Sequence, residues 1–263
     1  MKISAANSLQ IAVTFLACAF LLVPTLQSVL AGVTVNYRLG ISSGLTLEWV
    51  GQVWDLYLDS IFLSIGIAVA CLACTLIIGV PAAYGLARRP GWVSRALEEF
   101  ISLPLAVPGL ALALALLQLY GSMKGFRTSW TFILAGHVLY TLPFMVRSVL
   151  AVLAAMDLKT LEEGAASLGA SPWLRFRDVV IPNAMPGILA GSLTVVTLSI
   201  GEFNLTWMLH TPYLKTLPVG LADSYASMRL EIASAYTLVF FIIIVPLLMA
   251  MQWASHRAQR IGK

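Results

Sequence analysis

The sequence predicts an all-α, polytopic membrane protein with six transmembrane helices and a polar loop of two short helices at the cytoplasmic surface. The first observation is composition, because 59% of the 263 residues are apolar, only 11% are charged and the mean hydropathy is +0.89. Soluble domains are charged at roughly a quarter of their positions. The second is a set of long apolar stretches, and the third is a polar insert, Thr160–Pro186, between two of them.

Each apolar stretch is long enough to cross a bilayer, since about 20 residues of helix span the ~30 Å of hydrocarbon. A helix is expected in every case because hydrocarbon offers the backbone no other hydrogen-bonding partners. The six predicted spans are 9–31, 60–86, 100–120, 129–150, 184–206 and 235–253.

The basic residues predict the orientation, since Lys and Arg are in excess in cytoplasmic segments. With a cytoplasmic amino terminus, five of the sixteen basic residues would lie outside: Arg38, Lys124, Arg127, Lys215 and Arg229. Both termini and the insert are then cytoplasmic, and the net charge of +4 reflects topology and not nucleic-acid binding. Ser28–Ala31 resembles a signal-peptide processing site, but the preceding apolar core exceeds the roughly 7–15 residues of such peptides, so we expect the first span to be retained.

The polar insert begins with signals for a short helix. Thr160 and Glu163 have the spacing of a capping box, in which Thr160 accepts a hydrogen bond from an early backbone N–H. Gly169 is expected to end this helix in a left-handed conformation. A narrow apolar stripe is predicted at helical spacing by Leu161, Ala165 and Leu168.

A second short helix is predicted directly after that glycine. Ser171 is an N-cap residue and Pro172 suits the first helical position, so the helix should run toward Val180 and end at Pro182. One side of it is made basic by Arg175 and Arg177.

The insert also carries a spaced motif. Glu163-Gly164-Ala165 is followed after three residues by Gly169, and after nine more by Val179-Val180-Ile181-Pro182. This motif resembles the signature of the permease subunits of binding-protein-dependent ABC importers of type I, MetI-like fold, which is Glu-Ala-Ala, Gly and Ile-x-Leu-Pro at the same spacing. The departures are Gly164, which costs roughly 1 kcal/mol of helix propensity against alanine, and the apolar replacements Val179 and Ile181. The resemblance covers the chain from about Ser60 to the end.

The resemblance implies a multi-pass transport subunit of the bacterial inner membrane, with no enzymatic activity of its own. Its implied partners, besides the bilayer, are a dimer of cytosolic ATP-binding subunits, a second permease subunit that is identical or homologous, and a periplasmic solute-binding protein. ATP and Mg would be bound by the ATPase, and no cofactor by this chain. The implied division is residues 1–59, the first transmembrane helix and an outer interfacial segment, and residues 60–263, the permease domain with a coupling loop at 157–183.

In the family, the insert is a coupling loop that sits in a groove of the ATPase. The resemblance therefore implies contact or turn-forming roles for Leu161, Glu163, Gly164, Ala165, Leu168, Gly169, Arg175, Arg177 and Pro182. A simpler alternative is that Glu163 only caps a helix and Gly169 only ends one.

An autonomous membrane protein, either an ion-driven carrier or an intramembrane enzyme, is the alternative function. The sequence has no Gly-x-x-x-x-Gly-Lys-Ser/Thr motif, so a permease would need a partner for ATP hydrolysis. Carriers place ionisable groups within the bilayer, whereas here only Glu202 and Arg147 lie near the ends of spans, and Arg147 is explained by snorkelling. An intramembrane serine protease would rest on Ser192 and a distant histidine, with nothing to pair them.

The cysteines do not predict a metal site or a disulfide framework. Cys71 and Cys74 have a Cys-x-x-Cys spacing within a span, but cysteine is a common small apolar residue in packed helices. With Cys18 the total is three, an odd number.

A translocation pathway is predicted along the third to sixth spans. Its candidate residues are Pro108, Gly109, His137, Glu202 and Asn204. His137 is better explained as a packed or hydrogen-bonded imidazole than as a ligand, and Glu202 either meets a cationic amine or ends a helix in water. The segments around Pro108, Glu202 and Thr216 resemble permeases of the polyamine, ferric iron, thiamine and 2-aminoethylphosphonate group, most of all the aminophosphonate branch, so the expected solute is 2-aminoethylphosphonate or a polyamine.

Overall fold

The computed structural model describes residues 5–261, and these form an all-α protein, as predicted. The α-helices of the described residues are α1 Ala5–Ala31, α2 Glu48–Arg88, α3 Trp92–Ala106, α4 Gly109–Tyr120, α5 Lys124–Arg127, α6 Trp130–Ala154, α7 Leu158–Ser167, α8 Pro172–Arg175, α9 Ile181–Gly201, α10 Asn204–Leu209, α11 Leu217–Ala226 and α12 Leu230–Ile261. The only β-type pairings within the described residues are two isolated bridges, Thr34 with Leu45 and Thr211 with Leu214.

Five helical segments are long and apolar enough to cross a membrane, and a bent pair raises the number to six. The five segments are Leu9–Ala31, Tyr57–Arg88, Trp130–Ala154, Pro172–Gly201 and Leu230–Trp253. The predicted number of spans is therefore confirmed only when the bent pair counts as one span.

The third span, predicted as one helix over 100–120, is broken. Its halves, α3 and α4, meet at an angle of 103°. Val107 between them is extended, with φ −96° and ψ 128°, because the ring of the following proline disfavours helical backbone at this position. Pro108 also has no N–H to continue the ladder, so α4 begins afresh at Gly109.

The fifth span begins at Pro172, well before the predicted residue 184. The second helix of the loop was expected to end at Pro182, but it does not. Instead, α8 continues through a π-helical turn, Phe176–Val180, into α9. Pro182 lies in the first turn of α9, where its missing N–H is tolerated, and the wider π turn accommodates the change in hydrogen bonding. At its other end, the span stops at Gly201 and not at 206.

The described helices pack as two units. One contains the residues as far as Leu58 together with Gly220–Ile243, and the other contains Asp59–Val219 with the residues from Ile244 onward. The predicted division at 59 and 60 lies close to the first of these boundaries, but it does not include the 220–243 segment. All the residues of the candidate site belong to the second unit.

Close approach of α6 and α9 forms the centre of the second unit. A Cβ atom on Gly187 would lie 2.5 Å from the carbonyl oxygen of Ser148, and one on Gly191 would lie 2.8 Å from Sδ of Met145. Small residues of this kind let helix backbones approach closely in a membrane. Buried Val149 and Val195 belong to the same apolar core.

Replacing Gly187 with alanine is therefore expected to destabilise the protein by about 1–3 kcal/mol, because the added methyl group overpacks against backbone. Thermal unfolding in detergent measures the effect. The matched control is Gly66→Ala, where a Cβ meets no atom within 4 Å. Equal melting temperatures for the two variants would contradict the role assigned to this contact.

Candidate coupling site

The first helix of the loop, α7, is capped by Asp157. The prediction that Thr160 is the cap was wrong. One carboxylate oxygen of Asp157 accepts from the backbone N–H of Thr160 at 3.2 Å, and the other accepts from the Thr160 hydroxyl at 2.6 Å. These bonds, first from the side chain and then from the backbone, hold the pKa of the Asp157 carboxyl below its usual value. Thr160 is thus the third helical residue, and Glu163 pairs with Lys159 at 3.8 Å instead of returning to a cap.

The turn after α7 has the predicted glycine geometry. Gly169 has φ +83°, a conformation that favours glycine. Its N–H donates to Ala166, and the N–H of Ala170 donates to Ala165 at 3.1 Å, which is the hydrogen-bond pattern of a Schellman motif. The bend of the loop is therefore fixed by backbone bonds.

The second helix starts as predicted, but its basic residues differ from each other. Ser171 Oγ accepts from the N–H of Leu174 at 3.3 Å, with Pro172 at the first helical position. Arg177 is exposed and pairs with Asp178 through two bonds, at 2.6 and 3.1 Å. Arg175 is half-buried, and its Nε atom has no hydrogen-bond partner. The charge of Arg177 is thus already offset within the loop.

The outer surface of the loop is unusually apolar. Leu168 is 90% exposed, Trp173 is 66% exposed and Leu161 is 41% exposed. Glu163 is also exposed, with 68% of its side chain accessible. Gly164 and Pro182 are exposed and Ala165 is half-buried. Most of the predicted coupling residues therefore face outward.

The inner face of α7 contains a residue that the sequence analysis missed. Glu162 is 5% exposed and is reached by two side chains of α2. The Tyr84 hydroxyl donates to one carboxylate oxygen, and Arg88 Nε lies 3.3 Å from the other. Leu158, four residues earlier, is buried on the same face. The sequence signal for Glu162 was its i, i+4 spacing from Leu158, which places both residues on one face of the helix, whereas Leu161 and Leu168 lie on another.

Aromatic rings join the second helix of the loop to the same part of α2. The rings of Tyr84 and Phe176 lie 5.2 Å apart, and those of Phe176 and Trp173 lie 5.9 Å apart. Arg88 stands 5.9 Å from the Tyr84 ring. Because Tyr84 donates to Glu162 and also contacts Phe176, the end of α2 contacts both halves of the loop. We call Tyr84, Arg88, Glu162 and Phe176 the loop anchor.

Three of the predicted pathway residues come together at the two helix breaks. A Cβ atom on Gly109 would lie 3.5 Å from Asn204 Cβ and 3.8 Å from a carboxylate oxygen of Glu202. Glu202 is half-buried, and that oxygen accepts from the N–H of Leu205 at 2.7 Å. Glu202 therefore caps α10, which agrees with its interpretation as a residue at a helix end.

His137 is buried inside the helix packing. Its Nδ1 and Nε2 atoms each lie 2.8 Å from a hydroxyl oxygen, of Ser199 on α9 and of Thr206 on α10. Both ring nitrogens are thus occupied, in agreement with a hydrogen-bonded imidazole. Ser192 donates to a carbonyl of its own helix, and Cys71 shares a hydrogen bond with Thr141. Among the described residues, no group of histidines, cysteines and carboxylates is arranged to hold a metal.

Comparison with protein families identifies the family to which this chain belongs. Residues 75–260 match the family described as the binding-protein-dependent transport system inner membrane component. This chain belongs to that family. It is thus a multi-pass inner-membrane permease subunit of an ABC importer, which works with an ATPase on a separate subunit and with a solute-binding protein. The alternative of an autonomous carrier or enzyme is not retained.

Relatives and a solved structure are similar over most of the chain. A Salmonella typhimurium protein, PhnV, whose name describes it as a candidate 2-aminoethylphosphonate transport system permease, is 30% identical over 93% of this chain and 91% of its own. The putrescine transport system permease protein PotI of Escherichia coli is 26% identical, covering 82% and 79%. The inward-facing MetNI methionine ABC transporter has the same fold, with a TM-score of 0.63 and 17% identity over 79% of this chain and 96% of that one.

The loop anchor yields a stability prediction for this permease. Glu162→Ala should lower the free energy of unfolding by about 1–3 kcal/mol, because it leaves Arg88 and the Tyr84 hydroxyl without their partner. Thermal unfolding compares it with Glu163→Ala, whose exposed side chain should change stability by less than about 0.5 kcal/mol. A double variant with Arg88→Gln tests coupling, and strictly additive effects would argue against the anchor.

Proposed function

We propose that this chain forms half of the translocation pathway of the importer, and that the loop at 157–183 docks in a groove of the ATP-binding subunit. The observation that carries the proposal is the apolar outer surface of a loop whose bend is fixed by Gly169 and whose inner face is held by the loop anchor. Exposed Leu161, Leu168 and Trp173 would fill the groove, since exposed apolar patches commonly mark protein interfaces.

The proposed assembly has a second permease subunit, identical or homologous, and two ATP-binding subunits. A dimeric ATPase offers two equivalent grooves, so two coupling loops satisfy its symmetry. ATP and Mg belong to that partner. Glu163 and Arg175 are proposed polar contacts at the rim, whereas Arg177 contributes less charge because Asp178 already pairs with it.

Coupling would act as a two-state displacement. Closure of the ATPase dimer moves the loop, and the loop anchor transfers that movement to α2, because Glu162 binds Tyr84 and Arg88 at the end of that helix. The helix breaks at Pro108 and Glu202 would then shift relative to each other and alternate access to the pathway. A change of this kind is a shift in population that ATP and the loaded binding protein bias by differential affinity.

Breaking the bend tests the proposed coupling. Gly169→Pro forces φ toward about −65° where the turn needs a positive value, so we expect normal membrane insertion but at least ~10-fold loss of uptake and of ATPase co-purification. Glu163→Arg should weaken both readouts to a smaller extent. The control is the same substitution outside the loop, Gly125→Pro, at an exposed position in the first turn of α5. Wild-type uptake by Gly169→Pro would exclude a coupling role for the bend.

For the solute, we propose 2-aminoethylphosphonate. Support comes from the 30% identity to PhnV over 93% of this chain, compared with 26% over 82% for PotI. A polyamine is the second candidate, supported by the half-buried carboxylate of Glu202 beside Asn204.

Transport in proteoliposomes distinguishes these solutes. With its ATPase, second permease subunit and binding protein, the chain should import labelled 2-aminoethylphosphonate when ATP is supplied, and excess unlabelled putrescine should not compete. The chain alone, under a proton or sodium gradient, should move neither compound. ATP-driven putrescine uptake that 2-aminoethylphosphonate does not inhibit would replace the first candidate with the second.

A further inference from the structure

A large cavity lies beside the loop anchor, within the second unit. Its volume is about 1050 Å³, and it is lined by the end of α2, the start of α3, the end of α6 and the coupling loop. The proposed function uses some of the residues that line this cavity, among them Glu163 and Arg175, but it assigns no ligand to the cavity itself. Its position at the ends of three membrane helices places it near the boundary between hydrocarbon and water.

Helical spacing aims two arginines at the cavity. Along α3, Gly91, Ser94, Arg95 and Glu98 line it, which is the one-face spacing of i, i+3, i+4 and i+7. Along α6, the same spacing is repeated by Arg147, Leu150, Ala151 and Ala154. Arg95 and Arg147 therefore line the same cavity because each lies on the face of its helix that borders the cavity.

The charges of the lining are only partly paired. The basic residues that line the cavity are Arg88, Arg95, Arg147, Lys159 and Arg175, and the acidic ones are Glu98, Asp157, Glu162 and Glu163. Glu162 pairs with Arg88, Glu163 pairs with Lys159, and Asp157 accepts two bonds from Thr160. No ion pair within the described part of the chain involves Arg95, Arg147 or Arg175. Three arginines without an ion-pair partner thus face two carboxylates, those of Glu98 and Asp157, because the bonds from Thr160 leave the negative charge of Asp157 in place.

Arg147 lies within a span with its side chain exposed, and Arg175 is half-buried with one buried nitrogen that has no partner. Arg147 lies seven residues before the end of α6, which is about 10 Å along the helix axis. A charge inside a span is costly unless it is solvated or paired. Snorkelling explains how Arg147 reaches the cavity, but it does not explain the buried Nε of Arg175, which has no partner. An anion in the cavity would satisfy both groups.

We propose that this cavity binds an oxyanion of the phosphate or phosphonate type, held by Arg95 and Arg147 with Arg175 at its far wall. Guanidinium groups suit this ligand because their fixed fork of donors binds tetrahedral oxyanions at two points. The source is either the headgroup of an anionic phospholipid or a soluble phosphate. Because Glu162 and Lys159 also line the cavity, an occupied site would brace the coupling loop.

The experiment uses the purified full-length chain in detergent. Native mass spectrometry measures retention of phosphatidylglycerol against phosphatidylcholine, and calorimetry measures binding of inorganic phosphate. We expect Arg95→Gln and Arg147→Gln each to weaken oxyanion binding at least ~10-fold, which corresponds to about 1.4 kcal/mol. Arg147→Lys should restore part of it, since it keeps the charge without the fork. Circular dichroism and size exclusion confirm that each variant is folded.

The matched control is Arg89→Gln, because Arg89 is exposed at the same end of α2 but does not line the cavity. Selective retention of phosphatidylglycerol identifies the headgroup as the source, and binding of inorganic phosphate alone identifies a soluble anion. The proposal is wrong if the wild-type chain binds neither probe, or if both cavity variants bind as well as Arg89→Gln.

Discussion

The bridge between the Glu162 carboxylate and the end of α2 is the interaction on which the coupling loop depends. A helix as short as α7, with ten residues, is marginal in isolation, since helices below about 12–15 residues gain too little to offset nucleation. Capping by Asp157 and the Gly169 turn define where it begins and ends, but neither attaches it to the membrane domain. Attachment comes from Leu158 and Glu162, and a buried carboxylate is tolerated there because Tyr84 and Arg88 satisfy it.

Proline acts differently at the two places where the chain leaves regular α-helix. At Pro108, the preceding residue is extended and the helix breaks by 103°, so the free backbone groups need partners from neighbouring segments. At Pro182, the chain instead widens into a π turn and the span continues. The difference matters for the proposed coupling, because a continuous helix from Pro172 to Gly201 makes the second half of the coupling loop the end of a membrane span. Displacement of the loop is then displacement of that span.

Local rules predicted much of this chain, and tertiary contacts decided the rest. The spans followed from hydropathy, and Gly169, Ser171 and Pro172 followed from backbone chemistry that acts over a few residues. The cap was misplaced because Asp157 and Thr160 both suit an N-cap, and only the start of the helix distinguishes them. Glu162 was missed because the helix was expected to begin at a Thr160 cap, which left Leu158 outside it and removed the spacing that marks the inner face.

The polar contacts of the described residues are divided between the packed spans and the coupling loop. Inside the packed spans, Cys71 shares a hydrogen bond with the Thr141 hydroxyl, which donates to the backbone carbonyl of His137. The His137 ring is hydrogen-bonded to Ser199 and Thr206. These bonds tie α2, α6, α9 and α10 together. The ion pairs among the described residues lie instead at the coupling loop and the end of α2 beside it. In the proposed mechanism, movement enters at the coupling loop and travels through the packed helices, where the close contact at Gly187 connects α6 to α9.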